Sequence, residues 1–150
     1  INKRTPALPF TGMLAYETHP TLVLTDRLSQ SEIPFKAIGR QDARVITGKT
    51  KREVRQAALE DMREGRANIL FASYNLAKEG LDIPRLSRLY MLTPHRDSAV
   101  IEQAIGRIAR VHEEKTDARC YDFVDNTMYA QKCFRRRLRI YRKIGCEIYT

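Results

Sequence analysis

Apolar runs of strand length alternate along this chain with stretches whose apolar positions recur every three or four residues, the pattern of an α/β domain built on a parallel sheet. Residues 21–25 and 43–47 read as strands, and a short helix is predicted between them from Arg27 to just before Pro34. A second helix is predicted to begin at Thr50, where Glu53 completes a capping box contributing about 1 kcal/mol, and to close at Gly65, a residue suited to a left-handed C-cap. Residues 68–73 and 88–92 follow as strands, the second halted by Pro94. A helix over 98–110, a strand over 118–124 and a helix over 127–144 complete the series. Pro6, Pro9 and Pro20 make residues 1–20 read as a linker leading into a domain at 21–126, with 127–150 as a C-terminal helix packed on it.

The helix at 98–110 has an unusual outer face. At 100° per residue Gln103, Gly106, Arg107 and Arg110 fall together, while Ile101, Ile105 and Ile108 gather on the opposite side. A glycine inside a helix costs roughly 1 kcal/mol relative to alanine. A phosphate-bearing partner approaching between two guanidiniums gives that cost a reason; the plainer alternative is an amphipathic helix with solvated arginines. Near the C-terminus Ala130, Phe134, Leu138 and Tyr141 are predicted to share a buried stripe, with Arg135, Arg136, Arg139, Arg142 and Lys143 on the far side. Such a face either keeps the domain soluble or docks on a nucleic-acid backbone, a neighbouring domain or a protein partner.

Composition narrows the class. The length of 150 residues suits one domain with a substantial core. A net charge of +9 favours an anionic partner, nucleic acid first among them. Cys120, Cys133 and Cys146 contain no C-x-x-C pair, which argues against a zinc knuckle or a disulfide framework and for reduced thiols, as in the cytoplasm. His19, His95 and His112 are scattered, so no metal site is expected in the chain itself. No apolar stretch has the length of a membrane span. The chain opens on Ile1, which reads as an excised fragment.

Two segments carry a family resemblance. The run Ser73-Tyr74-Asn75-Leu76-Ala77-Lys78-Glu79-Gly80-Leu81-Asp82 resembles motif V, and Gln103-Ala104-Ile105-Gly106-Arg107-Ile108-Ala109-Arg110 resembles motif VI, of superfamily 2 helicases and translocases. Thr25-Asp26-Arg27 and the strand before it resemble motif IV, and Thr47-Gly48-Lys49-Thr50 the segment that follows it. The four lie in family order across residues 21–125. The resemblance implies a RecA-like three-layer fold, with a mainly parallel sheet flanked by helices, forming the second of two motor domains.

It also implies roles. Arg110 matches the arginine finger that neutralises charge on the transferring phosphoryl group, and Arg107 and Gln103 match residues that meet or orient the same phosphates. Arginine suits this task because its fork stays charged and meets phosphate bidentately. Gly80, Asp82 and Gly106 match the nucleotide-facing positions, Asp82 toward the ribose. Thr25, Arg27, Gly48, Lys49 and Ser73 match positions along the nucleic-acid strand, where contacts read backbone geometry. Glycine as a simple turn former and surface threonine or lysine are the plain alternatives. Gly48-Lys49-Thr50 imitates the end of a Walker A loop, but the glycine required five positions earlier is Ala43.

No other segment supplies a Walker A or a D-E-x-H box, so the first motor domain, which would hold most of the Mg2+ of Mg-ATP, is expected elsewhere in the parent chain. The fragment alone is not expected to hydrolyse ATP. Gln103 stands where DEAD-box RNA helicases usually carry histidine, and Glu79 where they usually carry arginine, so the DEXH-type, XPB-like DNA translocases are the nearer match, with RNA still open. Ala104 replaces a frequent arginine, and the loop at 111–115 lacks the glycine that many relatives place before its lysine. Three readings remain: a motor domain, a non-catalytic nucleic-acid binding module, and a motor subunit of a restriction or repair assembly. The arginine pair with Gly80 and Asp82 favours the first and third.

Overall fold

A computed structural model describes residues 7–26, 28–78, 81–93, 97–113 and 115–149, without the side chains of 7–9, 28–31, 33 and 98. Arg27, Glu79 and Gly80, which the sequence singles out, lie outside the described residues.

The sheet is parallel throughout, in the order β2-β3-β1-β4-β5. Its strands are β1 (Thr21–Thr25), β2 (Ala43–Val45), β3 (Ile69–Ser73), β4 (Arg88–Met91) and β5 (Arg119–Asp122). β1 lies at the centre and is buried along its whole length: Leu22, Val23 and Leu24 are apolar because a central parallel strand is covered on both faces, and a buried threonine stands at each end. Alternate residues then divide the core in two. Leu22, Leu24, Leu70, Ala72, Leu89 and Met91 face one layer, whereas Val23, Ala43, Ile69, Phe71 and Tyr90 face the other.

The first layer holds α3 (Arg52–Glu64), α4 (Tyr74–Lys78), α5 (Ser98–Ile108) and α6 (Met128–Lys143), which contribute Leu59, Met62, Tyr74, Ile101, Ile105 and Tyr141 to that core. The second layer is made by α1 (Ala7–Ala15) and α2 (Leu28–Ile38). The architecture is thus the expected three-layer α/β arrangement ending in a basic helix.

Four local expectations are corrected. Residues 7–15 are helical rather than linker, because Phe10 and Leu14 bury against the sheet and Arg40 ties down the helix end. That guanidinium donates to the carbonyls of Leu14 (2.8 Å) and Glu17 (2.6 Å) while Asp42 holds it bidentately. α2 runs through Pro34 to Ile38 instead of stopping before it. Interior proline costs about 3 kcal/mol, and here packing outweighs it: Phe35 meets Phe71 edge-on at 5.9 Å and Ile38 joins the same cluster.

The capping box at Thr50 does not form. α3 starts at Arg52, and the Thr50 hydroxyl instead accepts the Thr47 N–H at 2.8 Å, closing the turn that carries Gly48 and Lys49. On α6 the buried stripe is Ala130, Cys133, Arg137, Ile140 and Tyr141, leaving Phe134 and Leu138 only half-buried.

Gly65 closes α3 at φ 81°, as its sequence position predicts. A side chain there meets only ordinary contacts at 3.6 Å from Arg85, so the strain is in the backbone alone. Gly65→Ala is therefore expected to lower stability by about 1 to 2 kcal/mol in urea unfolding.

Candidate nucleotide and nucleic-acid face

Ligands of open parallel sheets sit outside the carboxyl ends of the strands. Here those ends are Thr25, Val45, Ser73, Met91 and Asp122. The chain leaves β3 at Ser73 directly into α4, where the Ser73 hydroxyl accepts the Leu76 N–H at 3.2 Å and keeps its own hydrogen for another acceptor. Beyond α4 the chain reaches Leu81 and the exposed Asp82, opposite the last turn of α5.

α5 is positioned by Asp97, whose carboxylate accepts the N–H groups of Ala99 and Val100, and by the burial of Val100, Ile101, Ala104, Ile105 and Ile108. On the remaining face Gln103, Gly106 and Arg110 are exposed, as the periodicity predicts, whereas Arg107 is half-buried. Space above Gly106 is open, since an added Cβ has no neighbour within 4 Å. Its helical cost therefore has no packing reason among the described residues.

The two arginines converge on one turn. Arg107 Nη1 donates to the Leu81 carbonyl at 3.0 Å, and its Nε is buried with no partner among the described residues. Arg110, 44% exposed, donates through Nη1 to Asp82 Oδ1 at 2.6 Å. That bond holds the Asp82 carboxyl below the usual carboxylate range, while burial and the neighbouring Arg110 charge lower the affinity of Arg107 for its proton. One carboxylate thus faces two guanidiniums that repel each other. The turn is left with surplus positive charge, which an anionic ligand would neutralise.

The sequence did not assign two further cations. Arg63 of α3 donates Nε to the Asp82 carbonyl at 2.7 Å. Lys115 Nζ donates to the carbonyls of Ile108 (3.1 Å) and Arg110 (2.7 Å), capping the C-terminal end of α5. Burial and Arg110 lower the Lys115 pKa. Its ammonium closes the loop that has no glycine, and spacing alone does not reveal a bond of that kind.

The remaining candidates separate. Gly48 and Lys49 are exposed on the turn after β2. Thr25 is fully buried at the end of β1, so its hydroxyl does not reach the surface that the sequence assigned to it. The described residues contain no group of three potential metal-binding side chains, and no described helix is long and apolar enough to cross a membrane.

The profile of the helicase conserved C-terminal domain matches residues 9–112, more than half of the chain, and the chain belongs to that family. Its fold and its relatives are those of superfamily 2. It is 30% identical over 111 residues to Putative helicase 22 of Sulfolobus islandicus filamentous virus (isolate Iceland/Hveragerdi), covering 72% of this chain and 20% of the relative. It spans 15 to 30% of the length of the curated relatives it matches. Among solved structures, the C-terminal domain of the DEAD-box protein Dbp5 superposes with a TM-score of 0.79 at 19% identity, over 96% of this chain and 81% of that one. The helicase MrfA, solved bound to DNA and AMPPNP, gives 0.77 at 18% identity over 91% and 20%. At these identities the structural matches speak for the RecA-like fold alone.

Proposed function

We propose that the chain is the second motor lobe of an ATP-dependent DNA helicase or translocase, closing on an N-terminal RecA-like lobe of the same parent protein around Mg-ATP. The observation that carries this reading is the convergence of Arg107 and Arg110 on the Asp82 turn, with open space above Gly106. Arg110 supplies the arginine finger, Arg107 its phosphate-binding neighbour and Gln103 the orienting amide. Asp82 and Gly80 hold the positions expected to meet the nucleoside, and Mg2+, which the other lobe would mainly hold, would supply neutralisation of phosphate charge. Gly48, Lys49 and Ser73, with Arg27, follow the nucleic-acid backbone. Gln103 is the reason to place the chain nearer the DEXH-type, XPB-like translocases than the DEAD-box enzymes.

Arg110 meets Asp82 through Nη1, and a guanidinium carries five N–H donors, so a phosphate can be engaged beside that carboxylate or in its place. In the lobe by itself Asp82 holds it, and moving to a phosphate exchanges one charge-assisted bond for another at small net cost. Because the sequence carries no Walker A or D-E-x-H segment, the lobe is expected to turn over no ATP alone, and the parent protein to hydrolyse ATP with stimulation by nucleic acid. Assays with single-stranded DNA, duplex DNA and RNA identify the polymer it follows. Robust turnover by the 150-residue chain alone overturns the half-site reading. Salt-sensitive binding by a parent protein without any turnover selects the non-catalytic module instead.

A further inference from the structure

The positive charge of this protein is not spread over its surface. α6 contains seven lysines and arginines and no acid, so of the net +9 the rest of the chain accounts for only +2. From Lys132 onward every exposed residue of the helix is basic: Lys132, Arg135, Arg136, Arg139, Arg142 and Lys143. Lys143 reaches Glu102 of α5 at 3.5 Å with its side chain still 75% exposed. Like charges three and four positions apart destabilise a helix by a few tenths of a kcal/mol per pair. Such a ridge is held against its own repulsion by packing on the other side of α6.

We infer that the outer ridge of α6 binds the phosphate backbone of a nucleic-acid duplex, as a surface separate from the strand path at Gly48 and Lys49. The ridge runs over twelve residues, Lys132 to Lys143, about 16 Å, and one strand of a duplex places a phosphate every 3.4 Å or so along its axis. Several phosphates therefore fit along it. α6 lies over β4 and β5, where Tyr141 and Arg137 engage Met91 and Asp122, whereas Gly48 and Lys49 follow β2 at the opposite sheet edge. Four strand spacings separate those edges, about 19 Å.

Duplex is favoured over single strand by what the ridge lacks. Proteins that track a single strand combine cations with aromatic platforms for unstacked bases, and no exposed aromatic stands between Lys132 and Lys143. A ridge of cations alone meets a backbone and reads no sequence.

The test is binding of the parent protein, without nucleotide, to a labelled mixed-sequence DNA duplex by fluorescence anisotropy across about 50 to 200 mM salt. The triple variant Arg135→Gln, Arg139→Gln, Arg142→Gln is expected to bind at least about tenfold more weakly and to lose about 0.9 per arginine from the slope of log affinity against log salt. The matching triple Arg→Lys variant is expected to retain the slope, because charge and not the guanidinium fork sets it. Glutamine matches arginine in helix propensity, so the fold is kept, which a thermal melt verifies. An unchanged slope overturns the proposal and leaves the ridge to an acidic protein surface. A loss confined to single-stranded DNA overturns it as well. Because no ATP is present, the result is independent of whether Arg110 acts in catalysis.

Discussion

Arg110→Ala in the parent protein is expected to lower nucleic-acid-stimulated ATP turnover by about 10³- to 10⁵-fold while nucleotide binding persists. The size follows from where the charge is needed. A guanidinium aimed at a transferring phosphoryl group stabilises charge that spreads over its oxygens only in the transition state, so its loss appears in kcat rather than in KM. Arg110→Lys is expected to recover little, since a point charge on a flexible stem does not replace a planar fork. The Asp82 bond gives a further check. Its carboxyl lies below the usual range in the folded lobe, so the link is intact above about pH 4 and is lost only as pH falls below the ordinary aspartate value. Asp82 therefore adds no limb to the activity profile near neutral pH. Turnover reduced less than about tenfold by Arg110→Ala removes the finger assignment.

The outer face of α5 was legible because its isoleucines set which side is buried, which leaves Gln103, Gly106 and Arg110 exposed on the other. β1 was equally plain, since an unbroken apolar run between polar breaks is what a central parallel strand requires. What escaped notice depends on partners distant in sequence. α1 is fixed by Arg40, more than twenty residues on, and by the Glu17 carboxylate that accepts the Tyr90 hydroxyl at 2.8 Å. Pro34 sits inside a helix because Phe71 is there to receive Phe35. In those two cases local chemistry named the groups and tertiary packing decided what each did. Thr50 is a local exception: it carries the spacing of a cap, yet its hydroxyl meets Thr47, three residues back.

The largest effect on stability is expected from a residue hidden inside a basic run. Arg135, Arg136 and Arg137 are consecutive, yet Arg137 is 1% exposed and grips Asp122 through Nε and Nη2 at 2.7 and 2.8 Å. Tyr141 donates its hydroxyl to the same carboxylate at 2.6 Å, and the guanidinium lies 5.9 Å from the centre of the Phe134 ring. Burial opposes the charge on Arg137, and the Asp122 carboxylate more than compensates, so its pKa is raised. Arg137→Ala strands that carboxylate and opens a void beside it, at an expected cost of about 3 to 5 kcal/mol in urea unfolding. Arg139→Ala, two positions on and exposed, is expected to change stability by less than about 0.5 kcal/mol. The double variant Arg137→Met with Asp122→Asn is expected to be more stable than Arg137→Met alone, because no buried charge is left unpaired while the amide oxygen still accepts from Tyr141. A double variant no better than the single one would show that shape, not charge, sets the cost. Asp122 ends β5 and Arg137 centres α6, so this pair fixes the helix whose outer ridge carries most of the protein's net charge.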